Sequence, residues 1–89
     1  MEESHILYDD TEQTVTRFVG IAGEAARFDV VITTTSHFYG KKLVAVIQSG
    51  RTAILNDEDA LNLPYLMEAF NITDEEEAEE FSRFLSANL

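Results

Sequence analysis

The sequence predicts a single α+β domain: a mainly antiparallel sheet of three or four strands, followed by two C-terminal helices packed on one face. Three observations predict this fold class. At 89 residues the chain can bury one hydrophobic core but not two. β-Branched and aromatic residues concentrate between residues 14 and 55, which favours strands. Apolar residues at helical spacing then follow in the last third of the chain.

Four segments of the first half have the composition of strands, and glycines punctuate them. Only Ser49 and Gly50 separate the last two, and a two-residue loop containing glycine is typical of a primed β-turn. Such a turn predicts a hairpin in which Gln48 faces Arg51. The predicted strands are 14–22, 27–35, 42–48 and 51–55.

Both faces of this predicted hairpin are apolar, although an antiparallel sheet with one face in water alternates apolar and polar residues. If the helices cover one face, we expect the other to be covered by residues 1–13, by a second copy of the chain or by a ligand. Since opposed residues share a face, one face carries Leu43, Ala45, Ile47 and Ile54, and the other carries Val44, Val46, Ala53 and Leu55.

The last third is predicted to contain a short capped turn at 56–59 and then two helices. Pro64 lies where the first turn of a helix over 63–70 tolerates proline. Thr73, with Glu76 three residues later, has the pattern of a capping box and predicts the start of the second helix. The inner stripe of that helix is predicted to be Ala78, Phe81, Phe84, Leu85 and Asn88, and its solvated face Glu75, Glu79 and Glu80.

Charge is distributed unevenly along the chain, which carries 17 acidic and 6 basic residues and a net charge of −11. Residues 1–16 contain five acidic residues and no basic one, residues 17–51 contain five basic and two acidic ones, and residues 52–89 contain ten acidic residues and one arginine. A domain this negative is repelled as a whole by nucleic acid and by anionic membranes, so only a local basic patch could bind either. We expect no membrane partner and place nucleic acid behind the other partners.

We therefore divide the single domain, 1–89, into three parts. Residues 1–13 form an acidic lead-in, expected to be partly disordered, 14–55 a basic β-rich half, and 56–89 an acidic helical half. The start lacks the features of a signal peptide, no apolar run is long enough to span a membrane, and the sequence has no cysteine. These features predict a cytoplasmic protein.

No pattern typical of catalysis or metal binding is present. Asp57, Asp59 and Glu68 match three positions of a calcium loop, but Leu61 and Asn62 stand where that loop needs an oxygen ligand and a glycine. A nucleophile elbow, a phosphate-binding loop, paired zinc ligands and a dinucleotide-binding glycine pattern are all absent. We predict no metal and no cofactor, and we favour a non-enzymatic protein while leaving catalysis open.

The candidate interaction or ligand patch is the link between the second and third strands. Two aromatic side chains beside Gly40 and two lysines suit the stacking of a base or the binding of a phosphate. The other interpretation is a plain hairpin loop in which Gly40 takes a positive φ and an aromatic side chain covers the edge of the core. Arg51 is expected on the outer face of the sheet beyond Lys42. The patch consists of His37, Phe38, Tyr39, Lys41, Lys42 and Arg51.

Short strings of residues in a fixed order resemble a family of short, uncharacterised Firmicute proteins, a domain of about this length. The resemblance covers nearly the whole chain and implies a stand-alone bacterial cytosolic protein, with no activity or site residue to transfer. The strings are Tyr8-Asp9-Asp10, Thr16-Arg17-Phe18-Val19, Arg27-Phe28-Asp29, Tyr39-Gly40-Lys41, Glu68-Ala69-Phe70-Asn71 and the Glu-rich terminal helix with Phe84-Leu85.

Two functional hypotheses follow. The first is a non-enzymatic interaction or regulatory module that self-associates, as a homodimer, through its second apolar sheet face or docks an acidic protein on its basic half. The second is a small enzyme or binding protein for an anionic metabolite, which would use His37, Tyr39, Lys41 and Arg51. Nucleic-acid binding ranks third.

Overall fold

The fold is that of a computed structural model, which describes residues 3–89. Four antiparallel strands form one sheet in the order β1-β2-β3-β4, and helices follow the last strand. The predicted α+β fold, a four-stranded antiparallel sheet with C-terminal helices, is confirmed. The elements are β1 Val15–Ala22, β2 Arg27–Thr34, β3 Lys42–Val46, β4 Arg51–Leu55, α1 Asp57–Ala60, α2 Leu63–Ala69 and α3 Glu75–Asn88.

The β3–β4 hairpin turns through residues 47–50 rather than through two residues. Val46 pairs with Arg51, and Gly50 closes the loop with φ at 69° and its N–H donating to the Val46 carbonyl at 2.9 Å. The predicted pairing of Gln48 with Arg51 is therefore wrong by two residues. Because side chains alternate with a period of two, a shift of two returns each side chain to the same face, and both predicted faces are confirmed.

The three helices cover one face of the sheet, which we call the inner face. Phe81 of α3 lies at the centre of the core, with its ring centroid 4.9 Å from that of Phe28 in β2 and 5.1 Å from that of Phe70, the residue that ends α2. Burying aromatic side chains supplies much of the stability of so small a core. The inner face contributes Phe28, Val30, Ile32, Val44, Val46 and Leu55 to this core, and the helical layer contributes Ala60, Leu66, Phe70, Ile72, Ala78, Phe81 and Leu85.

Helix α3 begins one residue later than the capping-box pattern predicted. Its N-cap is Asp74, whose carboxylate accepts the N–H of Glu76 at 2.8 Å and that of Glu77 at 3.4 Å. The prediction that Thr73 caps the helix is wrong. A charged carboxylate forms stronger, charge-assisted hydrogen bonds at the positive helix N-terminus than a hydroxyl does, which explains the choice.

Glu80 of α3 was expected in solvent, but it is half-buried against the turn between β1 and β2. Its Oε2 accepts the N–H of Ala25 at 2.9 Å. The carboxyl group lies so close to Gly23 that a Cβ atom at position 23 would be 2.6 Å from the Glu80 carboxyl carbon. The turn and the helix therefore contact each other at a point where a side chain on residue 23 fits only if the Glu80 carboxylate moves away from Ala25.

We predict that Gly23→Ala destabilises the fold by about 1–2 kcal/mol, because Glu80 must move and the Ala25 N–H then loses its charged acceptor. Urea unfolding measures this free energy. In a Glu80→Ala background the same glycine substitution should have almost no effect. Equal destabilisation in both backgrounds would contradict the contact between the turn and α3.

Candidate functional site

The candidate binding segment forms the loop between β2 and β3. Tyr39 and Gly40 both adopt positive φ, at 53° and 87°, and the N–H of Lys41 donates to the Phe38 carbonyl at 3.0 Å. The positive φ expected for Gly40 is therefore observed. The Tyr39 side chain is fully exposed at the tip of this loop and does not cover the core.

Carboxylates lie beside His37 and Lys41 of this loop. The two ring nitrogens of His37 face different acids, since Nδ1 contacts Glu12 and Nε2 lies 3.6 Å from Asp10. The ammonium of Lys41 lies 3.2 Å from the carboxylate of Asp59. An anionic ligand at this loop would therefore meet three acidic side chains. Because the acids beside His37 contact opposite nitrogens, they do not converge on one point, and residues 3–89 contain no group of three side chains placed to hold a metal ion.

Arg51 lies apart from the loop. It pairs with Val46, whereas Lys42 pairs with Leu55, and four residues of strand separate these two positions by about 13 Å. Arg51 and Lys42 do share a face, as expected, but it is the inner face, and the expectation of an outer-face position is wrong. The Arg51 side chain is exposed there, whereas its pairing partner Val46 is buried. His37, Phe38, Tyr39, Lys41 and Lys42 thus lie together, without Arg51.

Lys42, which begins β3, turns toward the end of the chain. Its ammonium donates a hydrogen bond to the Leu89 carbonyl at 3.3 Å. Arg17 of β1 reaches the same region, donating to the carbonyl of Asn88 at 3.3 Å and to its side-chain oxygen at 3.0 Å. Both cations therefore fasten the C-terminal end of α3 to the sheet. This structural use reduces their availability to an anionic ligand.

Glu12 ties the N-terminal segment to the β2–β3 loop, a contact that local sequence did not indicate. Its carboxylate accepts hydrogen bonds from the Thr35 hydroxyl at 2.7 Å and from the Ser36 N–H at 3.2 Å, and it contacts His37. These bonds, led by that from Thr35, hold the pKa of Glu12 below its ordinary value of 4.5. Residues near position 12 thus lie beside the sheet. We expected residues 1–13 to be partly disordered, and residues 1 and 2 of that segment lie outside the described residues.

The sheet face opposite the helices retains an apolar surface, which we call the outer face. Phe18 of β1 is 82% exposed, and Ile47 at the β3–β4 turn is 60% exposed. These two side chains line a shallow groove together with Val31. The N-terminal segment lies at the other end of the sheet, beside Leu43. The outer face consists of Phe18, Val31, Leu43, Ala45, Ile47 and Ile54.

The outer face carries little net charge. Its one strand carboxylate, Asp29, accepts hydrogen bonds from Arg27 at 3.0 Å and from the Gln48 amide at 2.6 Å. These hydrogen bonds lower the pKa of Asp29, and the bond from Arg27 has the largest effect. The helical half holds ten of the 17 acidic residues, and the helices pack on the inner face. The apolar surface and most of the negative charge therefore lie on opposite sides of the sheet.

These features define a class of small protein: a four-stranded β-meander covered by helices on one face and apolar on both. The model of the SAV0927-like family matches residues 7–87, and the chain belongs to that family. The expected membership of a small family over nearly the whole chain is thereby confirmed. No curated protein matches the sequence. Within residues 3–89, no helix has the length and apolar character needed to cross a membrane.

We predict that Glu12→Gln accelerates amide hydrogen exchange at Ser36 by roughly five- to tenfold near neutral pH, because the Ser36 N–H loses a charged acceptor. Glu3→Gln, which makes the same change elsewhere in the segment, should have no effect. In the wild type, protection should be complete above pH 4.5, the ordinary pKa, and should disappear as the pH falls through the lowered pKa of Glu12. Equal exchange in both variants would contradict the contact.

Proposed function

We propose that this chain is a non-enzymatic protein-interaction module that self-associates through the outer face. The exposure of Phe18 carries the proposal. This phenylalanine, at the centre of a β-strand, is 82% exposed and leaves more apolar surface in water than any other side chain of the sheet, so burying it would release the most free energy. Phe18 is not isolated, since Val31 and Ile47 extend the same groove. Contiguous apolar surface of this kind commonly marks a protein interface.

The arrangement of charge favours a second copy of the chain as the occupant. When two outer faces meet, the sheets pack about 10 Å apart, and the acidic helical layers lie on the two far sides of the assembly. The acids of the helical layers are then as distant as the molecule allows, while those of the N-terminal segment beside Leu43 stay on the near side, where Debye screening weakens their repulsion. An apolar, weakly charged face therefore lets a chain with a net charge of −11 pair with itself.

An acidic protein surface is a weaker candidate. The basic half supplies five cations, but Arg27 is paired with Asp29, Lys41 with Asp59, and both Arg17 and Lys42 with the end of α3. Docking an acidic partner would require these contacts to be exchanged. The same contacts reduce the attraction of the β2–β3 loop for an anionic metabolite, which was the rival hypothesis. A cytoplasmic location, which suits a chain without cysteine, is part of the proposal.

We predict that Ile47→Glu lowers the mass of the protein in solution, measured by light scattering after gel filtration, below that of the wild type, which should be at least that of two 10.0 kDa chains. A charge on the outer face must be desolvated when two copies meet, which should weaken association at least about tenfold. Leu61→Glu is the matched control, because Leu61 is an isomer of Ile47, is 69% exposed and lies on the helical layer. It should keep the wild-type mass.

Ionic strength provides an independent check on the same samples. Association of two like-charged copies through apolar surface should strengthen as salt screens their repulsion, whereas a head-to-tail contact between basic and acidic regions should weaken. A wild type that stays monomeric at every salt and protein concentration would overturn the proposal. Equal loss of mass in Ile47→Glu and Leu61→Glu would overturn its assignment to the outer face.

A further inference from the structure

The free edge of β1 is a second surface that the structure leaves open. The sheet order places β1 and β4 at its two edges. Strand β4 has 5 residues and packs against α1 and α2, whereas β1 has 8 residues and forms its ladder with β2 alone. Backbone N–H and C=O groups along the free edge of β1 therefore lack strand partners among the described residues. Such an edge is a template for another strand.

Strand β1 also lacks the features that usually protect an edge. It contains no proline and no lysine, and all eight residues pair in register with β2 without a bulge. Its one charged side chain, Arg17, is drawn toward the helical layer by its bonds to Asn88. Soluble proteins protect edge strands by charge, proline, bulges or short length. Strand β1 has only Arg17 of these features, and the Arg17 side chain bonds to Asn88 instead of lying along the edge.

We infer that β1 pairs antiparallel with β1 of a second copy about a two-fold axis at Val19, which joins two sheets into one of eight strands. This inference rests on the proposed self-association and adds a specific contact to it. In the Val19-centred register, Phe18 lies opposite the second copy's Gly20, where an aromatic ring covers a residue without a side chain. Arg17 then lies opposite the second copy's Ile21, and no two like charges oppose each other.

Neighbouring registers are less favourable. Centring the axis on Phe18 sets the two Phe18 rings opposite each other and Gly20 opposite the second copy's Thr16, so that neither ring covers a glycine. Centring it on Arg17 sets two guanidinium groups opposite each other. Centring it on Gly20 sets two glycines opposite each other and leaves both Phe18 rings without a glycine to cover. The sequence of β1 is thus complementary to itself about Val19.

Edge pairing and outer-face contact are separate and compatible. Pairing through β1 leaves the two outer faces side by side on one continuous sheet, so it doubles the width of the apolar surface. Ile47 lies at the turn between β3 and β4, away from the β1 edge. Ile47→Glu therefore affects the outer-face contact and leaves the edge contact unchanged, which allows the two to be tested independently.

Single-cysteine crosslinking tests the register, because the natural chain contains no cysteine. Opposed residues of antiparallel strands have Cα atoms about 4.5 or 5.5 Å apart, and disulfides accept about 4.4–6.8 Å. Val19→Cys should therefore form a disulfide-linked dimer under mild oxidation. Ile21→Cys, on the same face of the same strand and also half-buried, is the control: its two thiols would lie about 13 Å apart. We expect at least about tenfold more crosslinked dimer from Val19→Cys, in the presence and absence of Ile47→Glu.

The outcomes separate the two claims. If the wild type self-associates but Val19→Cys does not crosslink, or crosslinks no better than Ile21→Cys, edge pairing is overturned and the outer-face proposal stands. Efficient crosslinking of Phe18→Cys in place of Val19→Cys would overturn the Val19-centred register. If Val19→Cys crosslinks while Ile47→Glu leaves the wild-type mass unchanged, edge pairing is supported and the outer-face proposal fails. A strictly monomeric wild type overturns both.

Discussion

The structure depends on one constraint: every helix follows the last strand, and the helices pack on the same face of the sheet. The core forms where Phe28 of β2 meets Phe81 of α3 and Phe70 at the end of α2. Because the helices pack on that side, only the N-terminal segment remains to contact the other side. This segment contacts one end of the sheet, where Glu12 bonds to Thr35. The apolar residues on the opposite side of the strands are therefore left as surface, and Phe18 is the most exposed of them.

The distribution of charge follows from the same arrangement. Acidic residues at the start of α3 stabilise the helix through its N-terminal N–H groups, with Asp74 as the cap. Because the helices lie on the inner side, this negative charge collects there, while the outer face holds a single strand carboxylate that is already bonded to Arg27 and Gln48. The surface that is least costly to desolvate is thus the outer face. The acidic helix starts that stabilise the helices thus also leave the proposed interface with little charge.

Local pattern predicts this fold well and its long-range contacts poorly. The predicted β3–β4 hairpin assigned both of its faces correctly, in spite of the two-residue error at Gly50, because side chains repeat every two residues. The bond of Glu80 to Ala25 spans 55 positions, and nothing near Glu80 distinguishes it from the solvated acids of the same helix. Arg51 was grouped with the β2–β3 loop for its charge and its expected face, whereas its pairing with Val46 puts it at the opposite end of the hairpin from Lys42. Contacts between distant segments require the packed structure.

The central claim is that the outer face is uncovered in the single chain and covered when copies meet. The most direct measurement is the exposure of the outer-face methyl groups of Val31, Ala45 and Ile54 to a soluble paramagnetic agent, by NMR, in dilute and in concentrated protein. We predict strong line broadening in the dilute sample and protection in the concentrated one, while the methyl groups of Leu61 on the helical layer broaden equally in both. Protection already present in the dilute monomer, or exposure at every concentration, would contradict this account.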